Sequence, residues 1–585
     1  MRHGVGPVVL GVLLGLGLAA TALPAVSAGA PVVTIDVSTQ ADGSLLVAYT
    51  APPGIDELAF VDTHLRTHRL FREPMLRPVD DCAIVAEGVI RRARPQCAAL
   101  RFAVTPRRLG AAAFYEPAQP ATDGVLLHTR HYAVTAPGLG LVWQFRARPG
   151  QEVVLAGRAS EQQRAQLGAA DVAAALADPD RGRRLEQLLA DHFVFIGRAE
   201  TRTHPDFVLL RDAAVPRWLA DHVERTAGAA LHGFAQGFDA APRARVTLIL
   251  LADGQSGVAG GRFGYHGDVS RGPTIRLHFV APAPAEDTNQ MLQADEFVAH
   301  ELAHLWNSDR FRSDPDRPWL HEGGAEWLAA VLLHQLLRVP AYRLGERLQA
   351  SFETCVLTNG NEPWARLGGG HGIDRAYACG MVLHALAYAA VRQHDPALTP
   401  LAASAALYRQ AAVLDEEGFA RFADRGTPAG RALRRLLFDA DVVLVDALVD
   451  VLAALGVPHR VVPVAGLTRL APHVRVSLVR AIGGGDCARF AGFWTRADYI
   501  EFDPDNECRT LPTAARLTSV AGVSLLHDPG RAVEAVAAHC ATARSVAIGL
   551  HDGQRVEVPC PRLTTPAMLV QVEAAAFHAV LLPTP

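Results

Sequence analysis

Two histidines four residues apart, His300 and His304, enclose a glutamate in the run His-Glu-Leu-Ala-His. On a helix that spacing puts both imidazoles on one face, one turn apart, where both can reach a single metal ion. Glu301 is rotated off that face, beside the metal rather than on it, where a carboxylate can take a proton from an attacking water. The neighbours Phe297, Val298, Ala299, Leu302, Leu305 and Trp306 make the helix largely apolar. Histidines in such a helix need partners, because an unpaired polar group is costly to bury. A third ligand is expected from Glu322, which opens the next helix after an Asp- and Pro-rich turn. Two His and one Glu leave a fourth position open, the pattern of a catalytic rather than a structural zinc site. One Zn2+ per chain is therefore expected. Glu326 lies one turn beyond Glu322 and is expected to accept the second N–H of a ligand imidazole, that of His300. The ordinary alternatives are two surface histidines and a solvated helix acid.

These segments resemble the gluzincin metallopeptidases. His300–His304 with Trp319-Leu320-His321-Glu322-Gly323-Gly324-Ala325-Glu326-Trp327 is similar to the alanyl aminopeptidase family, with His321 where that family has Asn. His304-Leu305-Trp306-Asn307 is similar to the glycyl aminopeptidase family. Tyr377-Ala378-Cys379-Gly380 resembles the Tyr-x-Lys-Gly segment of both, with Cys379 replacing Lys. The resemblance implies a thermolysin-like α/β plus helical catalytic domain, with Glu301 and Tyr377 as catalytic residues. In that role the Tyr377 phenol donates to the oxyanion; otherwise it is a tyrosine packed among helices. The alanyl family also carries a Glu in an upstream Gly-x-Met-Glu-Asn segment that grips the substrate's α-amine. Here the Gly-rich stretch reads Gly260-Gly261-Arg262-Phe263-Gly264-Tyr265, without an acid, and Asp268 is the nearest carboxylate. Arg262 suits a carboxylate ligand, or is a plain surface Arg. Cleavage broader than strict N-terminal trimming is expected.

The elements that must position these residues can be read from periodicity. Residues 29–160 read as an N-terminal β domain, with runs such as Val32–Val37, Ser44–Tyr49, Leu100–Val104 and Leu141–Arg146 broken by Pro and Gly. A linker helix is expected over 158–192, and another helix near 213–237. Buried strands are expected at Val246–Ala252 and Thr274–Val280, within a catalytic domain of residues 161–456. Asp287 and Gln290 form a candidate capping pair for the His300 helix. Pro318 suits the first turn of the next helix, a further helix is expected from Asp374, and Gly456 should end the helical block. Residues 457–585 read as a small C-terminal α/β domain. Leu517–Gly522, a helix at Pro529–Ala541 and Val546–Leu550 resemble the second half of a PDZ domain; a plain structural cap is the alternative. The fold class is thus α+β multidomain.

Bulk properties narrow the function. The chain has 585 residues and a net charge of −4, with no lysine. There is no basic excess for nucleic acid, and Schiff-base and P-loop chemistry, which need a Lys amine, are excluded. Residues 1–28 read as a signal peptide ending in Val26-Ser27-Ala28, with an N-terminal membrane anchor as the alternative. No membrane span is expected after its removal. The eight cysteines fall into four local pairs, Cys82/Cys97, Cys355/Cys379, Cys487/Cys508 and Cys540/Cys560. Disulfides suit a periplasmic or secreted protein. The expected function is zinc-dependent hydrolysis of peptide or protein substrates. A catalytically inactive zinc-binding scaffold that holds peptides, and a different hydrolytic use of the same site, are the competing readings.

Overall fold

The structure is a computed structural model. It describes residues 32–581 apart from 62–71, 87, 108–115, 136–139, 156, 168–191, 254–262, 271–272, 337–340, 368–374, 464–469, 491, 504–505 and 564–567. The expected signal peptide at residues 1–28, Arg262 and Asp374 lie outside the described residues.

The N-terminal part is built of strands, because its apolar residues alternate. Val33, Ile35 and Val37 of the first strand, Val32–Thr39, point inward against Leu45, Val47 and Tyr49 of the second, Leu45–Thr50. The Tyr49 hydroxyl, buried with them, donates to Tyr132 O at 2.9 Å. One expectation fails here. Arg158–Ser160 and Gln162–Leu167 are strands rather than the start of a linker helix. They pair with Glu152–Leu155 and Gly140–Arg146 at sheet edges, whose open backbone groups outweigh local helix preference. Residues 168–191 of that stretch lie outside the described residues. Phe193–Gly197 then joins Gly124–His128 and Glu152–Leu155 in one sheet.

The central sheet positions the site. Its strands are β1 (Glu200–Thr203), β2 (Phe207–Arg211), β3 (Val246–Asp253), β4 (Gly264–Ser270) and β5 (Thr274–Val280), in the order β1-β2-β3-β5-β4. β2, β3 and β5 run parallel, and β4 returns antiparallel along β5 to form the edge. β3 reads as one apolar run because both faces are covered. Leu248 and Leu250 pack into the helical core, while Ile249 and Leu251 meet Leu126, Val154 and Phe195 of the N-terminal sheet.

On the helical side lie α1 (Arg217–Phe238), α2 (Thr288–His304), α3 (Glu322–Leu336), α4 (Ala341–Asn359) and α5 (Gly380–His394). Asp287 caps α2 by accepting from Gln290 N at 2.9 Å, while Gln290 Oε1 accepts from Ala283 N, so the pair is not reciprocal. Pro318 opens a short 3-10 turn, Pro318–Leu320, one residue short of α3. Gly456, at φ 71°, ends the last helix of the block, Leu444–Leu455.

The C-terminal part is a sheet of Phe493–Thr495, Ile500–Phe502, Arg516–Val520, Ser545–Leu550 and Arg555–Pro559 with helices α6 (Ala471–Asp486) and α7 (Pro529–Cys540). The chain then returns. Met568–Val572 pairs with His459–Pro463, and Phe577 and Leu581 enter the same core as α2 and α3. The four expected disulfides are all formed. No helix among the described residues is long and apolar enough to cross a membrane.

Candidate metal centre

His300 and His304 occupy the last turns of α2, and Glu322 is the first residue of α3. Their three donor atoms converge. His300 Nε2 and His304 Nε2 are 3.2 Å apart, and Glu322 Oε2 lies 3.4 and 3.3 Å from them. Ligand bonds of about 2.0–2.1 Å in a tetrahedron give edges of about 3.3–3.4 Å. The triangle therefore fits zinc. Glu322 Oε2 is buried and takes no well-directed hydrogen bond, as a ligand oxygen should.

Each imidazole has a side-chain oxygen behind it. His300 Nδ1 lies 3.1 Å from Glu326 Oε1, the partner expected from the spacing. His304 Nδ1 is 3.1 Å from Asn307 Oδ1, and Asn307 Nδ2 donates to His321 O at 2.6 Å. An N–H facing Asn307 leaves the His304 Nε2 lone pair toward the triangle. Asn307 can reach back because Leu305–Arg310 is a π-helical turn, wider than the α-helix it ends. Its position in the Trp-Asn pair was visible in the sequence; its task was not. His321, in the place of the family's Asn, has Nε2 at 3.5 Å from Glu322 Oε1.

Behind Glu326 stands Arg347 of α4, which the sequence did not single out. It is wedged between Glu326 and Glu296. Burial raises the Glu326 carboxyl, but the Arg347 charge and His300 overcome it and hold the carboxyl well below its usual range. Burial likewise opposes a charge on His300, yet the Glu322 and Glu326 carboxylates outweigh it and raise its pKa to about 10, a preference for positive charge that a bound metal would meet in place of the proton. The cage thus favours a positive charge at this point.

Glu301 sits beside the triangle, against Gly267 of β4. A Cβ on Gly267 would collide with the Glu301 carboxylate and the Phe297 ring, so glycine is what admits the acid here. Burial pushes the Glu301 carboxyl up to about 7, against the pull of His300.

Tyr377 lies in a second π-helical turn, Arg375–Cys379, which leads into α5. Its ring stacks on His300 with centroids 5.6 Å apart. Burial first, then the Glu322 and Glu301 charges, hold the phenol well above its ordinary range, so it keeps its proton. The Cys355–Cys379 disulfide ties this turn to α4.

These groups line a cleft of about 1150 Å³ that also takes in Tyr265, Asp268, Glu296 and Arg347. Asp268 is not a free acid. It forms a buried ion pair with Arg276, which also donates to Gln119 Oε1 of the N-terminal sheet at 3.0 Å.

At the level of the whole fold, the chain is similar to the crystal structure of an aminopeptidase N family protein from Idiomarina loihiensis. The TM-score is 0.56 at 12% identity, covering 94% of this chain and 100% of that one. It is also matched to an M1 zinc metallopeptidase from Deinococcus radiodurans at 14% identity and a TM-score of 0.40, over 70% of this chain and 94% of that one. No family model matches the chain, and no curated protein matches it in sequence. The first likeness shows the fold class, that of an aminopeptidase N-type protein.

Proposed function

We propose that this chain is an exported zinc-dependent peptidase, with His300, His304 and Glu322 as metal ligands. The observation that carries the reading is the three-atom triangle, with Glu301 buried beside it and Tyr377 stacked on His300. Bound there, zinc supplies Lewis acidity, which polarises a carbonyl and brings the pKa of water near neutrality. Glu301 takes the proton that the attacking water gives up and passes it to the leaving amine. The Tyr377 phenol donates to the carbonyl oxygen as negative charge grows on it. The open edge of β4 offers backbone groups along which an extended peptide can lie as an added strand. Four disulfides support an oxidising compartment, periplasmic or extracellular. The strand, helix and strand of the C-terminal sheet support a PDZ-like module there.

The reading includes cleavage inside chains. An aminopeptidase must pair the substrate's ammonium group, since a desolvated cation without a partner is expensive. Asp268 is already paired with Arg276, and Glu296 and Glu326 share the single guanidinium of Arg347.

The test is digestion of a peptide library, free and N-acetylated, by the zinc-loaded protein, with cut sites mapped by mass spectrometry. Both forms should be cut at internal bonds, and Glu301→Gln should cut neither while keeping its zinc. Stepwise trimming of free peptides alone would make this an aminopeptidase. Zinc binding with no cleavage at all would leave the scaffold reading.

A further inference from the structure

Glu322 reaches the triangle from the start of α3, and the backbone just before it is gripped by side chains from elsewhere in the fold. Leu320 O, two residues earlier, faces two donors: the Tyr408 hydroxyl at 2.7 Å and His384 Nε2 at 3.1 Å. The next carbonyl, His321 O, accepts from Asn307 Nδ2 at 2.6 Å. These side chains come from three other elements: the π-helical turn after α2, α5, and the helix Pro400–Arg409, which carries Tyr408.

Tyr408 stands where the arms that bear His304 and Glu322 come together. Its side chain is fully buried. A Cβ on Gly324, two residues after Glu322, would run into its hydroxyl oxygen, so that hydroxyl lies against the first turn of α3. Burial holds the phenol well above its ordinary range, while the Asn307 side chain, close enough to bear on its oxygen, pulls the other way. Asn307 is also the residue behind His304. Asn307 and Tyr408 therefore stand between His304 and the segment that carries Glu322. A phenylalanine ring would fill the same core space without a polar atom to bury. What the hydroxyl adds is its bond to Leu320 O.

We propose that Tyr408 is a positioning residue of the metal centre: through Leu320 O it sets where Glu322 Oε2 stands relative to His300 and His304. It touches neither metal nor substrate, and its role rests on the peptidase reading of the site. Ligands held in place before the metal arrives bind it more tightly, because less freedom is lost on binding.

The test is Tyr408→Phe in the full chain, which keeps the ring and removes the hydroxyl. Zinc affinity, read by competition with a chromophoric chelator, should fall about tenfold. The visible absorption of the Co2+-loaded protein, which reports ligand geometry where d10 zinc is silent, should shift with it. The control is Leu401→Ala, about two turns earlier on the same helix, where the side chain packs on Gly237 of α1. It should lower stability in denaturant and leave zinc affinity at the wild-type level. Wild-type zinc affinity in Tyr408→Phe overturns the proposal, whatever the Co2+ spectrum does. So does an equal loss of affinity in Leu401→Ala, which would make the effect one of general loosening. Either result leaves the metal site itself standing, whereas wild type that binds no zinc overturns the site and this proposal together.

Discussion

Gly323 and Gly380 meet backbone to backbone, with no side chain between them, where α3 and α5 cross. Gly323 follows the proposed ligand Glu322, and Gly380 follows Tyr377 by one turn. Their contact sets how close the phenol comes to the proposed metal ligands. A Cβ on Gly380 would press on Gly323 and on Trp319 O, neither of which can move aside cheaply. Gly380→Ala should therefore cost about 1–3 kcal/mol of stability and lower activity by displacing Tyr377. Denaturant unfolding and peptide hydrolysis measure the two effects. Unchanged stability would show that the helices separate freely.

Tyr377→Phe should lower kcat by about a hundredfold with little change in KM, since the hydroxyl acts mainly on the transition state. Zinc content should stay at the wild-type level. If the rate does not change, Tyr377 belongs to the packing between α5 and His300.

Glu326→Gln removes the carboxylate behind His300 but leaves Glu296 to balance Arg347. Zinc affinity should fall about 10–100-fold, read by competition with a chromophoric chelator. Full affinity in the variant would mean that Glu326 serves Arg347 alone.

His384 offers a pH signature away from the ligands. It is buried among Trp319, Tyr408 and Phe419, with Nε2 at 3.1 Å from Leu320 O. Burial holds its pKa down to about 3, against the pull of that carbonyl. The folded state therefore keeps it neutral, while the unfolded chain takes a proton near pH 6.5. Its contribution is intact above about pH 6.5 and is lost as pH falls from there toward 3. Stability of wild type relative to His384→Gln should drop by about 1.4 kcal/mol per pH unit across that window. Parallel stability curves from pH 7.5 to 4.5 would count against a neutral buried His384.

The sequence by itself determined what depends on near neighbours. The i, i+4 spacing set His300 and His304 on one face, Asp287 marked the start of α2, and the alternation of Val33, Ile35 and Val37 marked a strand. The four disulfides join cysteines close in the chain, so proximity alone was a good guide. Where a stretch could be satisfied locally or by a distant strand, sequence was a poor guide, as at Arg158–Ser160. Only the tertiary structure decided how chain-distant groups compensate one another. Arg347 is separated from Glu326 by 21 residues and from Glu296 by more, and nothing local marks it as their partner. Asp268 looked like a free acid until folding laid β4 along β5 and set Arg276 against it. The reason is physical: a buried charge must be matched by whatever the fold brings within a few ångströms, and three-dimensional packing, not spacing along the chain, selects that partner.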